Sequence, residues 1–122
     1  MRHLQPVGFF TEEIREGGVR KGFGLTSLDG MTGLLAHVDF SSNFRVGRYG
    51  VDVAGFEDFI CRIPFSDQAT KLVMIDEIGK MECFSKEFNQ IISTTVDSEK
   101  TFIATIALKG SGLIAKIKQR PD

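Results

Sequence analysis

The sequence predicts an α/β domain built on a mostly parallel sheet, and three observations carry that prediction. Leu72-Val73-Met74-Ile75 is an apolar run without alternation, the mark of a strand covered on both faces. It ends at once in two carboxylates, Asp76 and Glu77, and ligands of such sheets gather at the carboxyl ends of the strands. A second, nearly continuous apolar segment, Thr101 to Leu108, reads as another central parallel strand, with Thr105 as its polar break.

In chain order, Val7 to Thr11 reads as a strand and Gly17-Gly18 as a turn. Arg20 to Ser27 and Thr32 to Val38 form a hairpin whose turn is Asp29-Gly30, because both central positions of a type I′ turn need positive φ. This antiparallel excursion is expected to flank the site rather than form the core. Ser41 to Tyr49 is a polar, arginine-bearing loop. A helix follows from about Val53 to Arg62, with Phe56, Phe59, Ile60 and Ile63 at helical spacing, and Pro64 ends it.

Phe65 to Lys71 returns the chain to the Leu72 strand. A second amphipathic helix is expected from Ser85 to Thr94, burying Phe84, Phe88, Ile91 and Ile92, with Ser85 as N-cap and Glu87 in the first turn. Gly110 and Gly112 then lead into a last helix, Leu113 to Lys118. The eleven phenylalanines, without any tryptophan, are mainly core packing. Phe23 and Tyr49 are read as hairpin or core packing, with stacking on a base as the competing role.

With 122 residues, 42% hydrophobic and 25% charged, the chain fits one small globular domain. A net charge of −1, and arginines and lysines scattered rather than striped, give no case for nucleic acid. No apolar run approaches the roughly 20 residues that span a bilayer, and no signal-peptide core is visible. A cytoplasmic location is therefore expected. Cys61 and Cys83 are isolated, match no metal spacing, and are read as small buried hydrophobes; His37 is read as a strand residue, and zinc is not supported.

The acidic pair reads as the end of a Walker B strand. There the first carboxylate helps hold Mg²⁺, usually through the metal's waters, while the second orients or deprotonates the attacking water. A carboxylate engaged with a metal is a weakened base, which is why two are needed. The competing reading is that Asp76-Glu77 simply solvates a strand end.

Four blocks carry a family resemblance: Gly8-Phe9-Phe10-Thr11-Glu12-Glu13-Ile14-Arg15-Glu16-Gly17-Gly18, Arg20-Lys21-Gly22-Phe23, Val46-Gly47-Arg48-Tyr49-Gly50-Val51-Asp52-Val53, and Asp76 to Met81 continuing into Phe84-Ser85. In order and spacing the chain resembles the THEP-type nucleoside-triphosphatases of archaea, bacteria and animals. The resemblance implies a RecA-like, three-layer P-loop NTPase domain with an antiparallel hairpin insertion. It implies hydrolysis of ATP, GTP, CTP or UTP to diphosphate and phosphate, with Mg²⁺ as cofactor. It points to Asp76, Glu77, Ile78, Gly79, Arg15 and Arg20 for nucleotide binding, Asp76 for the metal, and Glu77 with Lys80 for catalysis. Lys80 would contact phosphate or pair with Glu82, and Arg15 and Arg20 would clamp phosphate or serve as a cis arginine finger. Glu12 and Glu13 match the motif without an assigned role.

The chain departs from that family at both ends. A strand, a G-x-x-x-x-G-K-[ST] loop and a helix should precede Val7, yet only Met1 to Pro6 stand there. Gly22-Phe23-Gly24-Leu25-Thr26 lacks the lysine, and Lys109-Gly110-Ser111-Gly112 has it on the wrong side. Gln119 to Asp122 falls where a further strand and helix are expected. The fold is thus expected to be incomplete, with two apolar edges exposed where the missing P-loop strand would lie, next to strands that carry the catalytic acid and its successors. Either a longer protein or self-association through those edges would repair them. Two alternative functions stay open: a non-catalytic interaction module without the phosphate loop, and a nucleotide kinase-like phosphotransferase.

Overall fold

A computed structural model of the protein describes residues 5–106. The helix expected at Leu113 to Lys118 and the end of the strand expected to reach Leu108 lie outside the described residues. Seven strands form one sheet: β1 (Val7–Glu16), β2 (Val19–Ser27), β3 (Thr32–His37), β4 (Arg45–Val46), β5 (Tyr49–Val51), β6 (Leu72–Ile78) and β7 (Thr101–Ile106). Helices α1 (Val53–Cys61), α2 (Lys80–Cys83) and α3 (Lys86–Val96) complete the described elements. The spatial order is β4-β5-β3-β2-β1-β6-β7. β1, β6 and β7 make the parallel core, Val7↔Val73 to Phe10↔Asp76 on one side and Leu72↔Thr101 to Ile75↔Ala104 on the other. β2 to β5 continue the sheet antiparallel.

β6 itself is paired on both edges, by β1 and β7. Among the described residues the sheet ends at β4 and β7. The antiparallel strands do more than flank the core, since Leu25, Leu35, Ala36 and Val51 are buried in it.

β1 is longer than its apolar start suggests. Past Phe10 it runs on through polar Thr11 to Glu16, paired along its length with β2. Gly17 and Gly18, at φ +59° and +79°, make the tight connection. Two consecutive positive φ values between paired Glu16 and Val19 are the type I′ arrangement that matches strand twist. The Asp29-Gly30 connection is a longer loop, because Ser27 N–H donates to the Met31 carbonyl at 2.7 Å and only Gly30 has positive φ. The arginine-bearing loop folds into the short β4–β5 hairpin around Gly47.

α1 is capped by Asp52, whose Oδ1 accepts from Gly55 N at 2.9 Å. α3 is capped by Ser85 as expected, Oγ accepting from Phe88 N at 3.0 Å. The same hydroxyl donates to Glu57 Oε2 at 2.8 Å and so ties α3 to α1. Both helices lie on one face of the sheet, where Phe9 is enclosed by Phe56, Phe59 and Phe88 in edge-to-face contacts at 5.7, 5.8 and 6.0 Å.

One-sided cover corrects the reading of the Leu72 strand. Val73 and Ile75 are buried beneath the helices, whereas Met74, 36% exposed, points to the other face. The run is apolar on both sides, but the described helices cover only one. Cys61, expected inside, is exposed near the end of α1, and Cys83 is half-buried. Phe23 and Tyr49 pack on each other at 5.3 Å, with Tyr49 buried, in accord with the packing role.

Candidate active site at the carboxyl end of the parallel core

β6 delivers Asp76 and Glu77 to the surface and then sinks Ile78 into the core, fully buried. Because side chains alternate along a strand, Asp76 shares the open face with Met74. Thr105 and Ile103 of β7 join it there, and Phe10 and Leu28 close a groove of about 410 Å³ beside it. The Thr105 hydroxyl donates to Asp76 Oδ1. That bond engages one carboxylate oxygen of an otherwise exposed side chain. The ladder between β6 and β7 is irregular at this point, between Ile75 and Ile78, and the Asp76–Glu77 peptide is cis.

The turn after the acids is built by Gly79 and Glu82. Gly79 is the N-cap of α2, and its N–H donates to Glu82 Oε1 at 3.2 Å. Gly79 has no side chain, so this is one half of a capping box. Glu82 is 4% exposed. Burial pushes its carboxyl up to about 7, and the charges of Glu77 and Asp76 push in the same direction. Burial likewise raises the Cys83 thiol to about 11, so this cysteine is no ready nucleophile.

Lys80 opens α2 and is exposed. The alternative pairing of Lys80 with Glu82 is not formed, because Glu82 turns inward to Gly79. Ile78 and Gly79 adjoin the pair, but with Ile78 buried and Gly79 bare, their contribution to a ligand is limited to backbone.

Arg15 and Arg20 lie elsewhere. Phe10 is level with Asp76, and Arg15 is five residues further along β1, roughly 17 Å at the usual rise. Both guanidiniums close on Glu13, at 2.9 Å from Arg15 and 3.1 Å from Arg20. Hydrogen bonds from Arg20 and then Arg15 hold the Glu13 carboxyl below the usual range. Arg20 Nε also donates to the Tyr49 hydroxyl at 2.9 Å, and both Arg20 and Arg48 stack against that ring. Glu12 accepts from the Thr26 hydroxyl at 3.3 Å across the β1–β2 pair, a hairpin anchor. The structure thus gathers Asp76, Glu77, Gly79 and Lys80 at one strand end and leaves Arg15 and Arg20 at the hairpin tip.

Sequence reasoning missed two members of this neighbourhood. Thr105 was visible as the polar break in an apolar strand, but its partner is 29 positions away, beyond any local spacing. Glu82 was visible only as a partner for Lys80, and nothing in its local sequence signals that its carboxylate turns inward to Gly79.

Among the described residues no group of three or more His, Cys, Asp or Glu is arranged to hold a metal ion. The oxygen donors present still suit Mg²⁺, which keeps most of its waters and is usually held by one or two carboxylates together with substrate phosphates. No described helix is long and apolar enough to cross a membrane.

A family model described as NTPase matches residues 2–122. The chain belongs to the NTPase family. The nucleoside-triphosphatase THEP1 of Thermotoga sp. (strain RQ2) is 43% identical over 116 residues, covering 94% of this chain and 67% of that protein. The cancer-related nucleoside-triphosphatase of Homo sapiens is 36% identical over 129 residues, covering 94% and 68%. The crystal structure of THEP1 from Aquifex aeolicus superposes with a TM-score of 0.82 at 33% identity, covering 95% of this chain and 70% of that one. The chain thus spans about two thirds of the length of these relatives. Family and fold expectations are both borne out: this is an NTPase-family chain with the α/β P-loop NTPase fold.

Proposed function

We propose that the protein hydrolyses nucleoside triphosphates to diphosphate and phosphate, with Asp76 and Glu77 at the reacting end of the molecule. The observation that carries this reading is the acidic pair at the carboxyl end of β6, flanked by two parallel strands, in a chain of the NTPase family. Asp76, oriented by Thr105, would hold Mg²⁺ through its waters; when bound, Mg²⁺ supplies charge neutralisation on the phosphate oxygens. Glu77 accepts a proton from the attacking water and aligns it, its neighbour being engaged elsewhere. Lys80, exposed at the start of α2, supplies a positive charge to the phosphates. The backbone at Ile78 and Gly79 lines the same edge. Arg15 and Arg20 are not needed for this chemistry, being committed to Glu13 and Tyr49. The protein is read as cytoplasmic, acting without nucleic acid, and the outer edge of β7, unpaired among the described residues, is the place for self-association.

The test is phosphate release from ATP, GTP, CTP and UTP with and without Mg²⁺. Wild-type protein is expected to release phosphate, and Glu77→Gln to lose at least about a hundredfold in kcat. Equal rates for the two proteins defeat the base assignment. Phosphate found on an acceptor rather than in solution would make the protein a phosphotransferase.

A further inference from the structure

Glu82 is the buried titratable group that hydrolysis, as assigned above, does not use. Its position is unusual for a capping acid, which ordinarily sits in solvent at the first turn of a helix. Here the carboxylate lies inside, with the Gly79 amide as a donor. Backbone hydrogen bonds from its own amide and from Gly79 do not offset the desolvation of a carboxylate, and its proton affinity is raised accordingly, to about 7. Any hydrogen-bonding residue would serve to cap so short a helix. The group therefore calls for a role at the site it adjoins.

The geometry around Gly79 supplies that role. A Cβ placed on Gly79 would lie 3.1 Å from Glu82 Oε1, and 3.8 and 3.9 Å from Glu77 Cγ and Oε1. Two carboxylate side chains thus flank the same bare glycine, one inside and one outside. Gly79 is also where strand gives way to helix, since its carbonyl accepts the first helical bond of α2, from Cys83 N–H at 3.2 Å. Fastening the Gly79 amide fixes the backbone two residues beyond Glu77 and the surface on which its side chain rests.

We propose that Glu82 is a positioning residue for Glu77: by holding the Gly79 amide it sets the β6–α2 turn and forms the floor that confines the Glu77 side chain. Glu82 touches neither nucleotide nor water in this scheme. The assignment rests on the reading of Glu77 as the base, so one of its two tests is independent of hydrolysis.

Glu82→Met removes the acceptor at nearly constant volume, and Glu82→Gln retains it. Three-bond couplings of the Glu77 side chain, assigned with Glu77→Gln, are expected to report one χ1 rotamer in wild type and Glu82→Gln, and averaging in Glu82→Met. In phosphate release, Glu82→Met is expected to lose about tenfold or more in kcat with KM within about twofold, and Glu82→Gln to restore most of the rate. Wild-type couplings and kcat in Glu82→Met overturn the proposal. Should Glu82→Met fail to fold, averaged Glu77 couplings in the unmodified protein overturn it without any variant, and a single rotamer there and in Glu82→Gln supports it. Absence of phosphate release from wild-type protein instead defeats the hydrolytic function and leaves the couplings to decide the positioning role.

Discussion

Thr105 of β7 donates its hydroxyl to the Asp76 carboxylate of β6, so two adjacent parallel strands share the orientation of one acid. A hydrogen bond to a charged group contributes about 1.5–3 kcal/mol when shielded, and this one is solvent-facing, so its net contribution to stability falls well below that range. Thr105→Val keeps the β-branched shape and removes the donor. It is expected to raise the Mg²⁺ concentration for half-maximal hydrolysis about tenfold, with stability changed by under about 0.5 kcal/mol, and Thr105→Ser to recover the loss. Mg²⁺ titrations of the three proteins check this.

Glu82 makes stability depend on pH in a direction opposite to most carboxylates. Its folded pKa, about 7, lies above the ordinary 4.5, so the folded state holds the proton more tightly than the unfolded one. Its contribution is complete below pH 4.5, declines between 4.5 and 7, and is gone above 7. The full span is worth about 3 kcal/mol. Glu82→Gln carries no such loss. Its melting temperature is expected to rise relative to wild type as pH goes from 4.5 to 7 and to hold that lead at pH 8, as read by parallel thermal melts.

Two glycines separate steric crowding from backbone conformation. A Cβ on Gly8, at φ +144°, would sit 1.7 Å from the Met74 carbonyl oxygen, inside the β1–β6 pair. Gly17, at φ +59°, has nothing within 4 Å of a Cβ. Gly17→Ala is therefore expected to lose about 1–2 kcal/mol from the left-handed conformation alone. Gly8→Ala is expected to lose at least about 4 kcal/mol, or its cooperative transition altogether. Urea unfolding of both compares them directly.

Phe9 anchors the covered face, 1% exposed among three phenylalanines of α1 and α3. Phe9→Ala is expected to cost about 3–5 kcal/mol, partly as cavity. Phe10, one residue on, faces the groove on the other side, and Phe10→Ala is expected to cost much less. Chemical denaturation of the pair measures the asymmetry between the two faces.

What could be read from the chain was what local chemistry encodes. Phe56, Phe59 and Ile60 announce α1 by their spacing, and Ser85 announces the start of α3 because a cap acts within its own turn. The acidic pair was legible because an apolar strand stops at it. Contacts between distant segments were not. β1 beyond Thr11 looks polar in sequence, and its pairing with β2 rather than its own hydrophobicity sustains it to Glu16. The turn read at Gly17-Gly18 is there, and it is this one, not Asp29-Gly30, that holds the consecutive positive φ pair of a type I′ turn. The separation of Arg15 and Arg20 from Asp76 is likewise a matter of strand register, invisible until Phe10 is seen level with Asp76.

Ile78 follows the acidic pair directly and is fully enclosed, like a peg driven in immediately behind a working edge. Heat that spares the interior should therefore leave the strand end in place. Inactivation on warming would coincide with collapse of the whole domain, without an earlier, gentler loss from fraying at the surface.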